Sequence, residues 1–363
     1  MQRNWIVRQF SERDEAEVIE LLRLVGFSTS THEMWRWKFK ENPKGFIGTV
    51  GVSGDKIVGY MGLILVDMKI GNTIFQGAQA VSLAVHPNFR RQGMFLEIGK
   101  ALMKDAAHKN IPVTYGVPNE PAFHGHLKYG WFLVGEIPVL TKFLSRKALA
   151  KFLLKRLFCF RALMKQPFKF LKTFFGWFCY LFSKFGWRQI KPQEGVKIYE
   201  LTLFDSNVDM LWKRVSGNYN VAIVRSRKYL NWRYFDRANS PYKVFAININ
   251  NNLEGYIVLS IQQSPGLGYE AYIVDLLASS NAALENLLIF TLDYCQKYDV
   301  SKVSCWMLQH HHAYSQMVDL GFKLDKTNDV VRLIARINSH NQEFMKLHKI
   351  QNWLFMMGDS DMI

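Results

Sequence analysis

Leu83-Ala84-Val85-His86-Pro87-Asn88-Phe89-Arg90-Arg91-Gln92-Gly93-Met94-Phe95 is the stretch on which the reading of this chain turns. An apolar, β-rich run ends at Val85, a polar turn follows, and a helical pattern begins near Gly93 and continues to residue 108. The first turn of a helix leaves backbone N–H groups unpaired, and these point at whatever lies before the helix. Arg90 and Arg91 add positive charge there, and Gly93 permits close approach of an anion. The segment therefore reads as a pyrophosphate site, with a basic surface turn as the alternative. It is not a Walker A loop, which ends in Gly-Lys-Ser/Thr, nor a GxGxxG dinucleotide turn. GxSxG and HExxH are missing as well, so hydrolases of those types have no support.

Working outward, the pattern predicts a short strand at 6–9, a helix at 12–25, and a hairpin of 46–52 and 56–66 about Ser53-Gly54-Asp55. A strand at 74–85, a helix at 94–108, a strand at 113–116, a helix at 122–129 and a strand at 132–138 follow. Antiparallel strands first and strand-helix-strand units afterwards imply a mixed sheet flanked by helices. The second half repeats this order. Trp35-Arg36-Trp37-Lys38-Phe39 before Asn42-Pro43 has a partner in Trp232-Arg233-Tyr234-Phe235 before Asn239-Ser240-Pro241. Trp35 stands 24 residues before Gly59-Tyr60, and Trp232 stands 23 before Gly255-Tyr256. Gly59 lies 71 residues before Gly130-Trp131, and Gly255 lies 66 before Gly321-Phe322. Three landmarks in register indicate an internal duplication. The expected units are 1–141, a connector at 142–195, a second domain at 196–338 and a tail at 339–363.

On these residues the chain resembles the GNAT superfamily of N-acetyltransferases, and its duplicated plan resembles the tandem GNAT proteins of bacteria and archaea. The family pattern Arg/Gln-x-x-Gly-x-Gly/Ala falls on Arg90, Gly93 and Phe95; the first two match, and Phe95 departs from the usual small residue. The resemblance implies an α/β (α+β) fold of two tandem GNAT-like domains, each a mixed twisted sheet flanked by helices. It further implies that Leu83, Ala84 and Val85 offer backbone groups to the pantetheine arm of acetyl-CoA or another acyl-CoA. Arg90, Arg91, Gln92, Gly93, Met94 and Phe95 would surround its pyrophosphate, and Asn119 matches an asparagine common after the next strand. The resemblance covers most of both halves and is most specific over 80–131. The corresponding stretch of the second half, Val274-Asp275-Leu276-Leu277-Ala278-Ser279-Ser280-Asn281-Ala282-Ala283-Leu284, has neither a glycine nor an arginine in its loop. That half is expected to keep the fold, lose cofactor binding, and close the acceptor cleft or bind a partner.

Acyl transfer to an amine needs an unprotonated nitrogen, a polarised thioester carbonyl and an acid for the departing thiolate. Family members often carry a tyrosine four residues before the glycine that here is Gly130, and that position holds His126, whose imidazole suits either proton role. A structural histidine is the alternative. His124 and Tyr129 are weaker candidates, and no spacing singles out Glu97 or Glu120. His310-His311-His312 cannot all face one centre on a regular element, so no metal site is expected.

Composition sets the remaining bounds. A length of 363 residues favours two domains, and 49% hydrophobic residues leave ample material for a core. Cys159, Cys179, Cys295 and Cys305 form no CxxC pair, which favours a reducing compartment. No signal peptide is expected, and no run reaches the 18 apolar residues or so of a membrane-spanning helix. The net charge of +16 is concentrated: 13 basic residues and no acidic one lie within 142–191, which leaves 33 basic against 30 acidic groups elsewhere. Lysines at four-residue spacing among many phenylalanines resemble a membrane-surface helix meeting anionic lipid, a cytoplasmic protein peripheral to the inner face of the membrane being the corresponding location. A connector packed on both domains is the alternative, and no specific nucleic-acid partner is expected. Together these readings predict an acyl-CoA-dependent N-acyltransferase working by direct transfer to a small-molecule or envelope-precursor amine. The competing class is a noncatalytic acyl-CoA-binding or protein-interaction module.

Overall fold

The computed structural model describes residues 4–27, 30–145, 195–237, 239–264, 268–326 and 330–361. The basic aromatic segment expected to join the domains lies outside the described residues, apart from 142–145 and 195.

The first half opens with β1 (Ile6–Gln9), the helix α1 (Glu15–Leu24), the single turn α2 (His32–Trp35) and a π-helical turn over Arg36–Lys40. A two-residue turn with Gly54 at φ +57° joins β2 (Phe46–Ser53) to β3 (Lys56–Ile70), a conformation glycine adopts without a Cβ clash. Then come β4 (Thr73–Val85), α3 (Met94–His108), β5 (Val113–Gly116), α4 (Glu120–Leu127) and β6 (Phe132–Ile137). Strand β3 explains the layering. Tyr60 and Ile64 enter the core beneath α1, while Met61 and Leu63 enter the core beneath α3, as the two-residue period of a strand requires. Helix α3 buries Met94, Ile98, Leu102 and Met103 against that face, each side chain contributing about 1.5–3 kcal/mol of transfer free energy.

The strand expected at 132–138 is β6, which ends at Ile137, and a further strand follows it. Pro138 has no N–H to continue a ladder, and the chain leaves the first sheet there to form β7 (Val139–Phe143), which pairs in the second sheet. The second half adds β8 (Val196–Leu201), α5 (Ser206–Val215), β9 (Val221–Ile223), α6 (Arg227–Tyr234), β10 (Tyr242–Ile249), β11 (Asn252–Ser264) and β12 (Gly268–Ala278). It continues with α7 (Asn281–Lys297), β13 (Val300–Trp306), α8 (Ala313–Asp319), β14 (Lys323–Leu324), β15 (Val331–Ile337) and β16 (Trp353–Leu354).

The first sheet runs β1-β2-β3-β4-β5-β15-β6, and the second runs β14-β7-β13-β12-β11-β10-β8. Each half thus receives a strand from the other: β15 lies between β5 and β6, and β7 lies between β13 and β14. The tail is drawn inward, with β16 pairing with β9 and β9 with the far end of β3. One core accordingly crosses both halves, joining Val66, Tyr115 and Ile137 to Val221, Leu230 and Trp353. Trp37 and Trp232 mark the axis between them: each indole Nε1–H donates to the other's backbone carbonyl at 2.7 Å, and the rings stack at 5.5 Å. Trp37 is therefore the mate of Trp232, and Trp35 instead packs on Phe39 and Tyr60. Among the described residues no helix is long and apolar enough to cross a membrane.

Candidate functional site

Strands β4 and β5 are parallel and paired only at Gly77–Val113, Ala78–Thr114 and Gln79–Tyr115. Beyond Gln79 the two part, and β4 continues to Val85 on β3 alone. The cause of the divergence is a bulge. The β3–β4 register steps from Gly62–Val81 to Tyr60–Ala84, so Ser82 and Leu83 oppose the single residue Met61, and Ser82 takes φ +54°. A bulge bends its strand, and the result is a fork between β4 and β5 with strand backbone along one side.

At the mouth of the fork, Gly93 caps α3 in the left-handed conformation at φ +84°. Arg90, Arg91, Gln92 and Gly93 are exposed; Arg90 Nε donates to the Val85 carbonyl at 3.2 Å, and Gln92 Nε2 to the Asn88 carbonyl at 2.9 Å, which ties the loop to the strand end. The Met94 side chain is buried beneath α3 and that of Ala84 lies on the α1 side of the sheet, whereas Leu83 and Val85 are half-buried toward α3. The side chains of Met94 and Ala84 are thus turned into the two cores, away from the basic loop. Asn119 is the N-cap of α4, its Oδ1 accepting from Ala122 N–H at 3.0 Å.

His126 sits on the inner face of α4, 5% exposed, with Nδ1 at 2.5 Å from the Tyr129 hydroxyl and the Phe95 ring 5.3 Å away, edge to face. Burial lowers its pKa to about 4 and raises that of Tyr129. Phe95 rests on Gly125, where a Cβ would lie 2.5 Å from the ring, so the bulky residue on α3 is matched by a bare position on α4. His124 and Glu120 are exposed and paired with each other at 3.3 Å. Glu120 also meets Arg332 of β15, whose guanidinium lowers the Glu120 pKa and stacks 4.8 Å from the Phe123 ring. Arg336, two turns of the pleat further on, donates to the Tyr129 carbonyl at 3.0 Å. The exchanged strand therefore holds α4 at both ends, a role no local pattern in the sequence announces.

The second half repeats the fork and fills it. Strands β12 and β13 pair from Tyr269–Val300 to Ile273–Cys305, and a register step leaves Val274 unopposed. Into that place comes the tail: a Cβ on Gly358 would collide with the Tyr234 hydroxyl and lie 3.3 Å from the Val274 carbonyl. Arg225 Nη2 donates to Asp359 at 2.7 Å and to Asp275 at 3.4 Å, and Arg233 donates to the carbonyls of Gly358 at 3.0 Å and Ser360 at 2.7 Å. The helix start there is capped internally, Ser280 Oγ accepting from Ala283 N–H at 3.2 Å. Among the described residues no group of three or more His, Cys, Asp or Glu is placed to hold a metal ion. His310 Nε2 is 2.9 Å from the Trp353 carbonyl, while His311 is buried and stacked on Tyr219.

Residues 6–133 match the model of the family described as acetyltransferase (GNAT) domain. A protein of Enterococcus faecalis, described as a conserved protein of unknown function and probable N-acyltransferase, superposes with a TM-score of 0.66 at 14% identity, over 95% of this chain and 75% of that one. The chain has the GNAT fold in two copies. A GCN5-related N-acetyltransferase from Anabaena variabilis gives a TM-score of 0.63 at 14% identity, with 92% of this chain and 73% of that one covered. Saccharomyces cerevisiae N-myristoyltransferase with bound myristoyl-CoA gives 0.60 at 11% identity, over 94% and 85%. No curated protein matches the chain by sequence. In the first copy the strands part beside an exposed basic loop, and in the second Gly358 and Asp359 of the tail lie where they part.

Proposed function

We propose that this protein is an acyl-CoA-dependent N-acyltransferase whose first GNAT copy binds the acyl donor. The observation that carries the reading is the contrast between the two forks. The first leads from the Ser82 bulge to the exposed Arg90-Arg91-Gln92-Gly93 loop, and the second is occupied by Gly358 and Asp359. The description of the Enterococcus faecalis protein as a probable N-acyltransferase and the myristoyl-CoA in the yeast enzyme support the same class of donor. Strand backbone at Leu83, Ala84 and Val85 would pair with the amides of the pantetheine arm, and the first turn of α3 with Arg90 and Arg91 would hold the pyrophosphate. His126 would offer a hydrogen bond, not a proton, to the departing sulfur. A Tyr129 hydroxyl donating to Nδ1 would leave the ring proton on Nε2, and the low pKa keeps the ring neutral near pH 7.

Titration with acetyl-CoA by calorimetry tests this. The wild type is expected to bind saturably, and the Arg90→Ala/Arg91→Ala variant to lose about tenfold or more in affinity per charge-assisted bond removed, each being worth about 1.5–3 kcal/mol. Equal binding by both would reject the loop as the pyrophosphate site. The packing of Phe95 on Gly125, with His126 behind it, favours a second reading as a noncatalytic acyl-CoA-binding or interaction module. Turnover with a panel of amines separates the two, since binding is common to both.

A further inference from the structure

The bulge that opens the first fork is met by a side-chain amine. Lys38 belongs to the π-helical turn Arg36–Lys40 on the α1 side of the sheet, opposite α3 and its basic loop. Its Nζ lies 3.1 Å from Ser82 Oγ and 2.7 Å from Asp361 Oδ2. Ser82 is the bulged residue, three positions past the last β4–β5 pair at Gln79, where the strands have just parted. The Lys38 side chain is 17% exposed, whereas its neighbours Lys40 and Lys44 are 41% and 42% exposed and pair with Glu15 and Asp67 on the outer surface. One primary amine is thus inserted beside the inner end of the fork, with a carboxylate touching it.

We propose that Lys38 is itself an acyl acceptor, so that the chain acylates its own Nζ from acyl-CoA held in the first fork; this rests on the donor site assigned above. In this step the ammonium passes one proton to the Asp361 carboxylate and on to water. The nitrogen lone pair attacks the thioester carbonyl carbon, an N–C bond forms, and the C–S bond breaks with its electron pair moving to sulfur. The second nitrogen proton goes to that sulfur, so the products are a neutral amide, free coenzyme A thiol and one released proton. The amide no longer carries a charge for Asp361, and the tail loses its ion pair with the first GNAT copy.

The test is incubation of the full chain with acetyl-CoA, followed by intact-mass measurement and peptide mapping of acetylated lysines, with calorimetry on the same preparation. Acetylation concentrated at Lys38, missing from Lys38→Arg and strongly reduced in Arg90→Ala/Arg91→Ala, is the expected result. Acetyl groups spread over exposed lysines and indifferent to the loop variant would mark uncatalysed chemistry and overturn the proposal. Binding of acetyl-CoA with Lys38 unmodified overturns self-acylation alone. No binding by folded wild type overturns the donor site and this inference with it. The modified position is read on the wild-type chain, so the decision does not depend on how well a variant folds.

Discussion

Arg225 has no exposed surface, and its guanidinium bridges Asp359 and Asp275, which lie 134 and 50 residues away in sequence. Removing such charges from water costs several kcal/mol for each ion, and the cost is offset only when the remaining lone pairs are satisfied. Here the hydroxyls of Tyr256 and Tyr234 donate to Asp275 at 3.0 and 3.1 Å, and Met356 N–H donates to Asp359 at 2.9 Å. Taking away the cation leaves two buried carboxylates facing each other. Arg225→Met is therefore expected to cost about 3–5 kcal/mol and to undock the tail, read as a lowered urea midpoint together with faster proteolysis after residue 350. An unchanged midpoint would contradict the role given to this residue. Nothing in the sequence around Arg225 marks it as buried, because its partners come from other elements. Gly93 is different: a glycine in a basic turn between an apolar run and a helical pattern is a local signal, and the structure adds that it takes φ +84° as the cap of α3.

At the scale of elements, the strand at 6–9 and the helix at 94–108 fall at the expected residues, since each carries a complete local pattern. Pro138 shows where local pattern stops being enough. The strand expected at 132–138 ends at Ile137 as β6, but that the chain goes on past the proline as β7 in the other sheet, the missing N–H breaking the ladder between them, is not visible in the local pattern. The duplication is visible as repeated aromatic and glycine landmarks, but which tryptophans correspond is settled by the reciprocal Trp37–Trp232 hydrogen bonds. The exchange of β7 and β15 carries a prediction. Strand pairing across the halves does not require the intervening chain, so a single proteolytic cut engineered within residues 146–194 should leave two fragments that co-elute and melt in one transition. Size-exclusion chromatography and calorimetry on the nicked protein check this, and separation of the fragments without denaturant would disprove it.

For the molecule as a whole, the buried histidines link stability to pH. Burial lowers the pKa of His126 to about 4 and of His311 to about 3, both below an ordinary value near 6.5. As pH falls through 6.5, the unfolded chain takes up protons that the folded chain declines, so stability decreases by about 1.4 kcal/mol per pH unit for each histidine. Above pH 6.5 the effect is absent, and it levels off once the folded-state values are reached. Asp359 opposes this in part. Its carboxyl is held above the usual range by burial, so its protonation favours the folded state as the pH falls. The urea midpoint should therefore drop between pH 7 and pH 4.5, and His126→Gln/His311→Gln should flatten or reverse that slope; an unaltered slope in the double variant would show that other groups govern it.

By itself, the sequence determined the order of strands and helices between residues 46 and 137 and the basic loop that opens α3, because each depends on neighbours within a few residues, and its spaced aromatic and glycine landmarks carried the twofold repeat. Tertiary structure alone decided that the halves trade strands, that Gly358 and Asp359 of the tail lie in the second fork, and that Lys38 and Asp361 meet at the Ser82 bulge of the first. These juxtapositions join residues up to 323 positions apart. The free energy that selects them comes from burial and hydrogen bonding between whole surfaces, which no single stretch of chain encodes.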